Sequence, residues 1–144
     1  MRLWHKQLIS VLPRQQLLSQ WRELSAIVGS VQKNGTPNHI LVNKVLEYPS
    51  NHFLAYTQLI DNEMVKRGYK VSGGVRDKIY SFSNQIDNQN DIETSCTDLY
   101  LGWHDKRYLQ QCFYNLQEKY DCNGITEIEW KLIEERYLEL TQNK

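Results

Sequence analysis

No apolar run in this 144-residue chain approaches the roughly 18 residues of a membrane span, and no membrane partner is expected. The opening Met1-Arg2-Leu3-Trp4-His5-Lys6 lacks the apolar stretch of a secretory signal, so the expected compartment is the cytoplasm. Cysteine is scarce: Cys96, Cys112 and Cys122 are an odd number without a CxxC pair, which argues against a disulfide framework or a zinc knuckle. The four histidines, His5, His39, His52 and His104, have no metal-ligand spacing and are expected to be hydrogen-bonded or at the surface. There is no GxSxG, no Gly-rich phosphate loop and no HExxH. Acidic residues are almost missing from the start of the chain. Within the first 46 residues the one carboxylate side chain is Glu23, among Arg2, Lys6, Arg14, Arg22, Lys33 and Lys44.

What is present is ordinary globular composition, 40% hydrophobic and 24% charged, which fits one domain able to bury a core. The formal net charge of zero is a cancellation. Residues 1–80 carry 11 Lys+Arg against 5 Asp+Glu, whereas residues 81–144 carry 6 against 12. The +6 half suits a negatively charged partner, and the acidic half is expected to lie on the opposite side of the molecule.

Helical periodicity dominates, no segment alternates like a strand, and the expected fold class is all-α. The first helix is predicted from Pro13 or Arg14 to a stop at Gly29, with Leu17, Leu18, Trp21, Leu24, Ser25 and Val28 on its apolar face. Its other face, Gln15, Gln16, Ser19, Gln20, Arg22 and Glu23, is rich in amides and resembles a contact surface more than a solvated one. A short helix capped by Thr36 with Pro37 first should run to about Glu47. A third should use Ser50 as cap and stop at Gly68. The stretch 72–102, with its tract Ser83-Asn84-Gln85-Ile86-Asp87-Asn88, is predicted to be a polar loop that adds nothing to the core. A helical pair then fills 103–144, the first member from His104 to Tyr120, the second opened by a Thr126/Glu129 capping box after an Asn123-Gly124 turn.

Two readings of Glu23 are open from composition: an exposed ion pair with Arg22 or Arg14, or a carboxylate held among cations that grip phosphates. The residues around it carry a resemblance. Leu12-Pro13-Arg14-Gln15-Gln16-Leu17-Leu18-Ser19-Gln20-Trp21-Arg22-Glu23-Leu24, ending at Gly29, resembles the first helix of the pyrimidine dimer DNA glycosylase family, the phage-type endonuclease V enzymes. His39 and the segment closing in Lys66-Arg67-Gly68-Tyr69 also match. Met1 to His5 and His104-Asp105-Lys106-Arg107-Tyr108-Leu109-Gln110 are similar to a bacterial, glycosylase-like branch. The likeness covers residues 1–71, a glycosylase-like helical core, and residues 103–120.

The resemblance implies a compact all-helical enzyme that binds damaged duplex DNA, cuts the glycosidic bond at a pyrimidine dimer and nicks the abasic site by β-elimination, without metal or organic cofactor. The family's nucleophile is the N-terminal α-amine. With a pKa near 8 against about 10.4 for lysine, far more of it is neutral at pH 7. A bulky Arg2 should block removal of the initiator, which makes the Met1 amine the nucleophile and Glu23 the catalytic carboxylate. Arg2, Arg14 and Arg22 would bind phosphates, and Gln15 and Gln16 would face the groove or an extruded nucleotide. Gln16 stands where the phage enzymes have histidine, and Ala26 where they have arginine. The alternatives are a non-catalytic nucleic-acid or protein binding module of the same fold, and an enzyme acting on another modified base. The imine chemistry requires the chain start to fold back on the Glu23 face, in a cleft lined by Arg22 and Gln16. Charge reversal at Arg14 or Arg22 should weaken DNA binding more than reversal at Arg107 or Arg136.

Overall fold

The computed structural model describes residues 2–34, 39–82 and 99–142. Among them the regular elements are all helical: a 3-10 segment at Lys6–Val11, then α1 (Arg14–Asn34), α2 (Ile40–Leu46), α3 (Ser50–Lys66), α4 (Gly73–Tyr80), α5 (Lys106–Asp121) and α6 (Glu127–Gln142). None is long and apolar enough to cross a membrane.

Helix α1 does not stop at Gly29. Its buried stripe of Leu17, Trp21, Leu24, Ile27 and Val28 continues to Val31, and this burial outweighs the roughly 1 kcal/mol by which glycine disfavours a helix interior. Glycine has a packing use here: a Cβ on Gly29 would come within 3.2 Å of Lys78 Nζ on the crossing α4. Helix α3 ends at Gly68, where φ of +80° is free of steric cost for glycine. The amides of Gly68 and Tyr69 reach back to the carbonyls of Val65 and Met64, the two bonds of a Schellman ending. Ser50 is the first helical residue of α3, with Pro49 as its cap. The expected Thr36-Pro37 start of the second helix lies outside the described residues, and α2 is entered from His39.

The polar stretch contains more order than its composition implies. Helix α4 occupies 73–80, and Ile79 and Phe82 are buried, Phe82 against Phe53 with ring centroids 4.5 Å apart. A second tie is electrostatic: Arg76 makes two bonds to Asp61 on α3, at 2.7 and 3.0 Å, and Tyr80 donates to the same carboxylate at 3.0 Å. Three apolar side chains at helical spacing, Val75, Ile79 and Phe82, suffice because α1 and α3 already offer them a surface. The tract from Ser83 to Asp91 lies outside the described residues, as does Cys96.

Leu99 and Tyr100 re-enter the core as a tight turn, with Tyr100 at φ 52°, Gly102 at φ 93°, and the amides of Trp103 and His104 both donating to the Tyr100 carbonyl. A left-handed tyrosine costs about 1–2 kcal/mol, which complete burial of its ring offsets. His104 belongs to this turn. Helix α5 starts two residues later, where Asp105 accepts from the Tyr108 amide at 2.9 Å.

The Thr126/Glu129 capping box forms as the sequence implies, through reciprocal bonds of 3.1 and 3.2 Å. Phe113 of α5 stacks on Tyr137 of α6 at 3.8 Å, close to parallel. The acidic half is not segregated from the basic one. Helix α6 packs on the 3-10 segment, Arg136 Nε donates to the Gln7 carbonyl at 3.1 Å, and Glu129 accepts from the Arg14 amide at 3.0 Å. Arg67 ties the same corner together, donating to the carbonyls of Leu12, Ser10 and Ile9 while its Nε holds Glu63 at 2.7 Å.

Candidate active site

Residues 2–5 form neither helix nor strand, so their backbone polar groups must be satisfied otherwise or cost about 1–3 kcal/mol each when buried. Side chains from three helices satisfy the amides of Arg2 and Trp4 and the carbonyls of Arg2, Leu3 and Trp4. Gln20 of α1, fully buried, donates its Nε2 to the Arg2 carbonyl at 2.8 Å and accepts the Trp4 amide on Oε1 at 2.8 Å. Tyr108 of α5 donates to the Leu3 carbonyl at 2.5 Å, and Tyr56 of α3 to the Trp4 carbonyl at 2.5 Å. Burial pushes both hydroxyls above the ordinary tyrosine range, so they remain protonated donors. Leu3 and Trp4 bury their side chains. The chain start is a strap pinned across the N-terminal half of α1.

Two histidines fasten its far end. His5 Nε2 donates to the His104 carbonyl at 3.0 Å, while its Nδ1 accepts from the Gln7 amide at 3.1 Å. His104 Nδ1 accepts from the Lys6 amide at 3.0 Å, and the rings stack at 5.2 Å. Both rings are therefore neutral Nε2–H tautomers. Desolvation lowers His5 to about 4 and His104 to about 2, with the Lys6 ammonium acting in the same direction on each.

The pinned strap brings two of the sequence-predicted site residues together. The Arg2 amide nitrogen lies 3.4 Å from Glu23 Oε2, and Gln20 Nε2 donates to that oxygen at 3.3 Å. Met1 lies outside the described residues. Among the described residues Glu23 has no ion pair: Arg22 turns its guanidinium to Ser19 Oγ at 3.2 Å, and Arg14 lies over the Tyr69 ring at 5.5 Å. The half-buried carboxylate thus has neutral amides as its donors, with lone pairs to spare.

The other predicted residues are distributed around it. Arg14, Gln15 and Gln16 line a cleft of about 350 Å³ against the Asn123-Gly124 turn, where Gln16 Oε1 is shielded from solvent without a hydrogen-bond partner among the described residues. Arg22, exposed, shares a different recess of about 390 Å³ with Lys70. Among the described residues, the cleft lined by Gln16 and the recess lined by Arg22 are two different ones. Gln20, expected on the contact face, is instead entirely interior.

Arg2 has two addresses. Its backbone meets Glu23, while its side chain, 5.5 Å from the Trp4 ring, lines a cavity of about 560 Å³ between α2 and α5. Lys44, Trp103 and Arg107 line the same cavity. Arg107, expected from the sequence to matter less for DNA binding than Arg14 or Arg22, is brought into the cavity of Arg2 by tertiary packing that no local motif displays. Among the described residues no group of His, Cys, Asp and Glu side chains could hold a metal ion.

A family model described as pyrimidine dimer DNA glycosylase matches residues 1–77, which take in the strap, α1, α2, α3 and the start of α4. No curated protein and no solved structure matches the chain.

Proposed function

Because the chain belongs to the pyrimidine dimer DNA glycosylase family, we propose that it is a DNA glycosylase with abasic-site lyase activity on damaged duplex DNA, pyrimidine dimers first, and that the Met1 α-amine is its nucleophile. The observation that carries this reading is the 3.4 Å approach of the Arg2 amide to Glu23 Oε2. The α-amine is one residue further along, within about 3.6 Å of that nitrogen by covalent geometry.

The amine lone pair forms a bond to the sugar C1′ while the glycosidic bond breaks, its electron pair leaving with the base, which takes up a proton. The ammonium so formed loses one proton; the C1′–O4′ bond then breaks, its electron pair leaving on O4′, which takes up a proton, while the nitrogen lone pair forms the C1′=N bond of a cationic Schiff base. Removal of a C2′ proton then expels the 3′ phosphate. Glu23, an unpaired carboxylate in a half-buried setting, stabilises the cationic intermediate and accepts the proton. Arg2, Arg14 and Arg22 neutralise backbone phosphates, and Gln15 and Gln16 contact the groove or an extruded nucleotide.

Incubation with an abasic-site duplex and borohydride tests this. The imine should be reduced to a covalent protein–DNA adduct mapping to the N-terminal peptide, and blocking the α-amine should abolish it. Glu23→Gln should keep DNA binding within a few-fold and cut nicking by about 10²–10⁴-fold. An adduct on an internal lysine such as Lys6, or none, would refute the amine mechanism, and none with intact DNA binding would leave the binding-module reading. Irradiated and abasic duplexes compared side by side test the substrate.

A further inference from the structure

We propose that Gln20 is the positioning residue of the reaction, holding the chain start and the carboxylate in one register; this rests on the amine mechanism above. Its amide is fully buried, and each of its polar contacts serves the site or the strap that forms it. Nε2 donates at 2.8 Å to the Arg2 carbonyl and at 3.3 Å to Glu23 Oε2, so the two hydrogens of one NH2 group bridge the peptide that follows the nucleophile and the group that handles the proton. Oε1 accepts the Trp4 amide at 2.8 Å and lies 3.0 Å from the Tyr56 hydroxyl, which donates to the Trp4 carbonyl.

Gln20 thus fixes Arg2 and Trp4 against α1 on either side of Leu3, itself held by Tyr108. A core glutamine needed for packing alone would be replaceable by an apolar side chain of equal volume. This one spans two segments 16 to 18 residues apart and the carboxylate one helical turn away. Few soft torsions, those of Arg2 and of the residue before it, separate the Arg2 carbonyl from the amine, so fixing that carbonyl limits how far the amine can move from it. Misplacement by about 1 Å can cost 10²-fold in rate.

Two volume-conserving variants test it, with single-turnover borohydride trapping on abasic duplex, DNA affinity and thermal unfolding measured on each. Gln20→Met removes all polar contacts. It should leave DNA affinity within about threefold and slow trapping by about 10–100-fold. Gln20→Glu replaces the NH2 donor with an oxygen facing both the Arg2 carbonyl and the Glu23 carboxylate. Two carboxylates so close share one proton, so trapping should be slowed at neutral pH and recover toward the wild-type rate as pH falls and the shared proton restores a donor. A role in packing alone would lower the melting temperature of both variants, with an unchanged trapping rate for the folded protein and no change in pH profile, and this result would overturn the proposal. Loss of the native fold in both variants would overturn it equally, by making Gln20 a folding residue. Failure of the amine mechanism is separate: the wild-type protein itself would then give no N-terminal adduct.

Discussion

Mild acid should loosen this protein through His5 and His104, and the size of the effect follows from their surroundings. In the unfolded chain both titrate near 6.5, whereas burial holds them neutral to about 4 and about 2 in the folded state. Between the folded and unfolded values the unfolded chain binds more protons, so stability is fully present above pH 7 and falls as pH drops through 6.5. At about pH 5 each histidine removes about 2 kcal/mol, together about 4 kcal/mol, a large part of the 5–15 kcal/mol typical of a domain. Glu129, which accepts bonds from Arg14 and Thr126, is lowered and loses its contribution only in stronger acid. Urea unfolding at about pH 7.5 and about pH 5 measures the difference. His104→Asn, which keeps an acceptor for the Lys6 amide, should remove about half of the pH dependence. Equal unfolding free energies at the two pH values, or histidine ring resonances titrating near 6.5 in the folded protein, would refute the neutral buried pair.

Ile79→Ala should destabilise the protein by about 2–5 kcal/mol in urea melts, since this fully buried side chain anchors α4; a change under about 0.5 kcal/mol would mean that α4 does not belong to the core. Arg67→Met should cost about 1–3 kcal/mol, because it leaves the half-buried Glu63 carboxylate without its cation and releases carbonyls of the 3-10 segment, and a neutral result would show those bonds to be worthless. In salt titrations of DNA binding, Arg22→Glu and Arg107→Glu should each weaken affinity and flatten the salt slope by about one unit or more, while Lys131→Glu on the exposed face of α6 should change neither; equal effects at all three would remove the link between these cavities and DNA.

The helix of Arg14 to Val28, the turn at Gly68 and the Thr126/Glu129 cap were legible because each depends on neighbours within a few residues: apolar spacing, a left-handed glycine, a side chain reaching back one turn. Glu23 was legible for a different reason, as the lone acid in a basic field whose surrounding motif resembles a family. Tertiary structure decided the rest. Gln20 reads as one more amide on a polar face, and only the strap lying across α1 turns that position inward and gives its two ends separate partners. Helix α4 needed the surfaces of α1 and α3 to cover the short apolar row of Val75, Ile79 and Phe82, which its polar surroundings in the sequence mask. His5 and His104, 99 residues apart, became a neutral pair because the turn at Tyr100 folds one ring against the other. Local sequence determines which segments are helical, through backbone and side-chain preferences over a turn or two. Which polar group is desolvated, and so which can hold a charge, a proton or a neighbouring peptide in place, depends on contacts between segments that only the folded chain brings together.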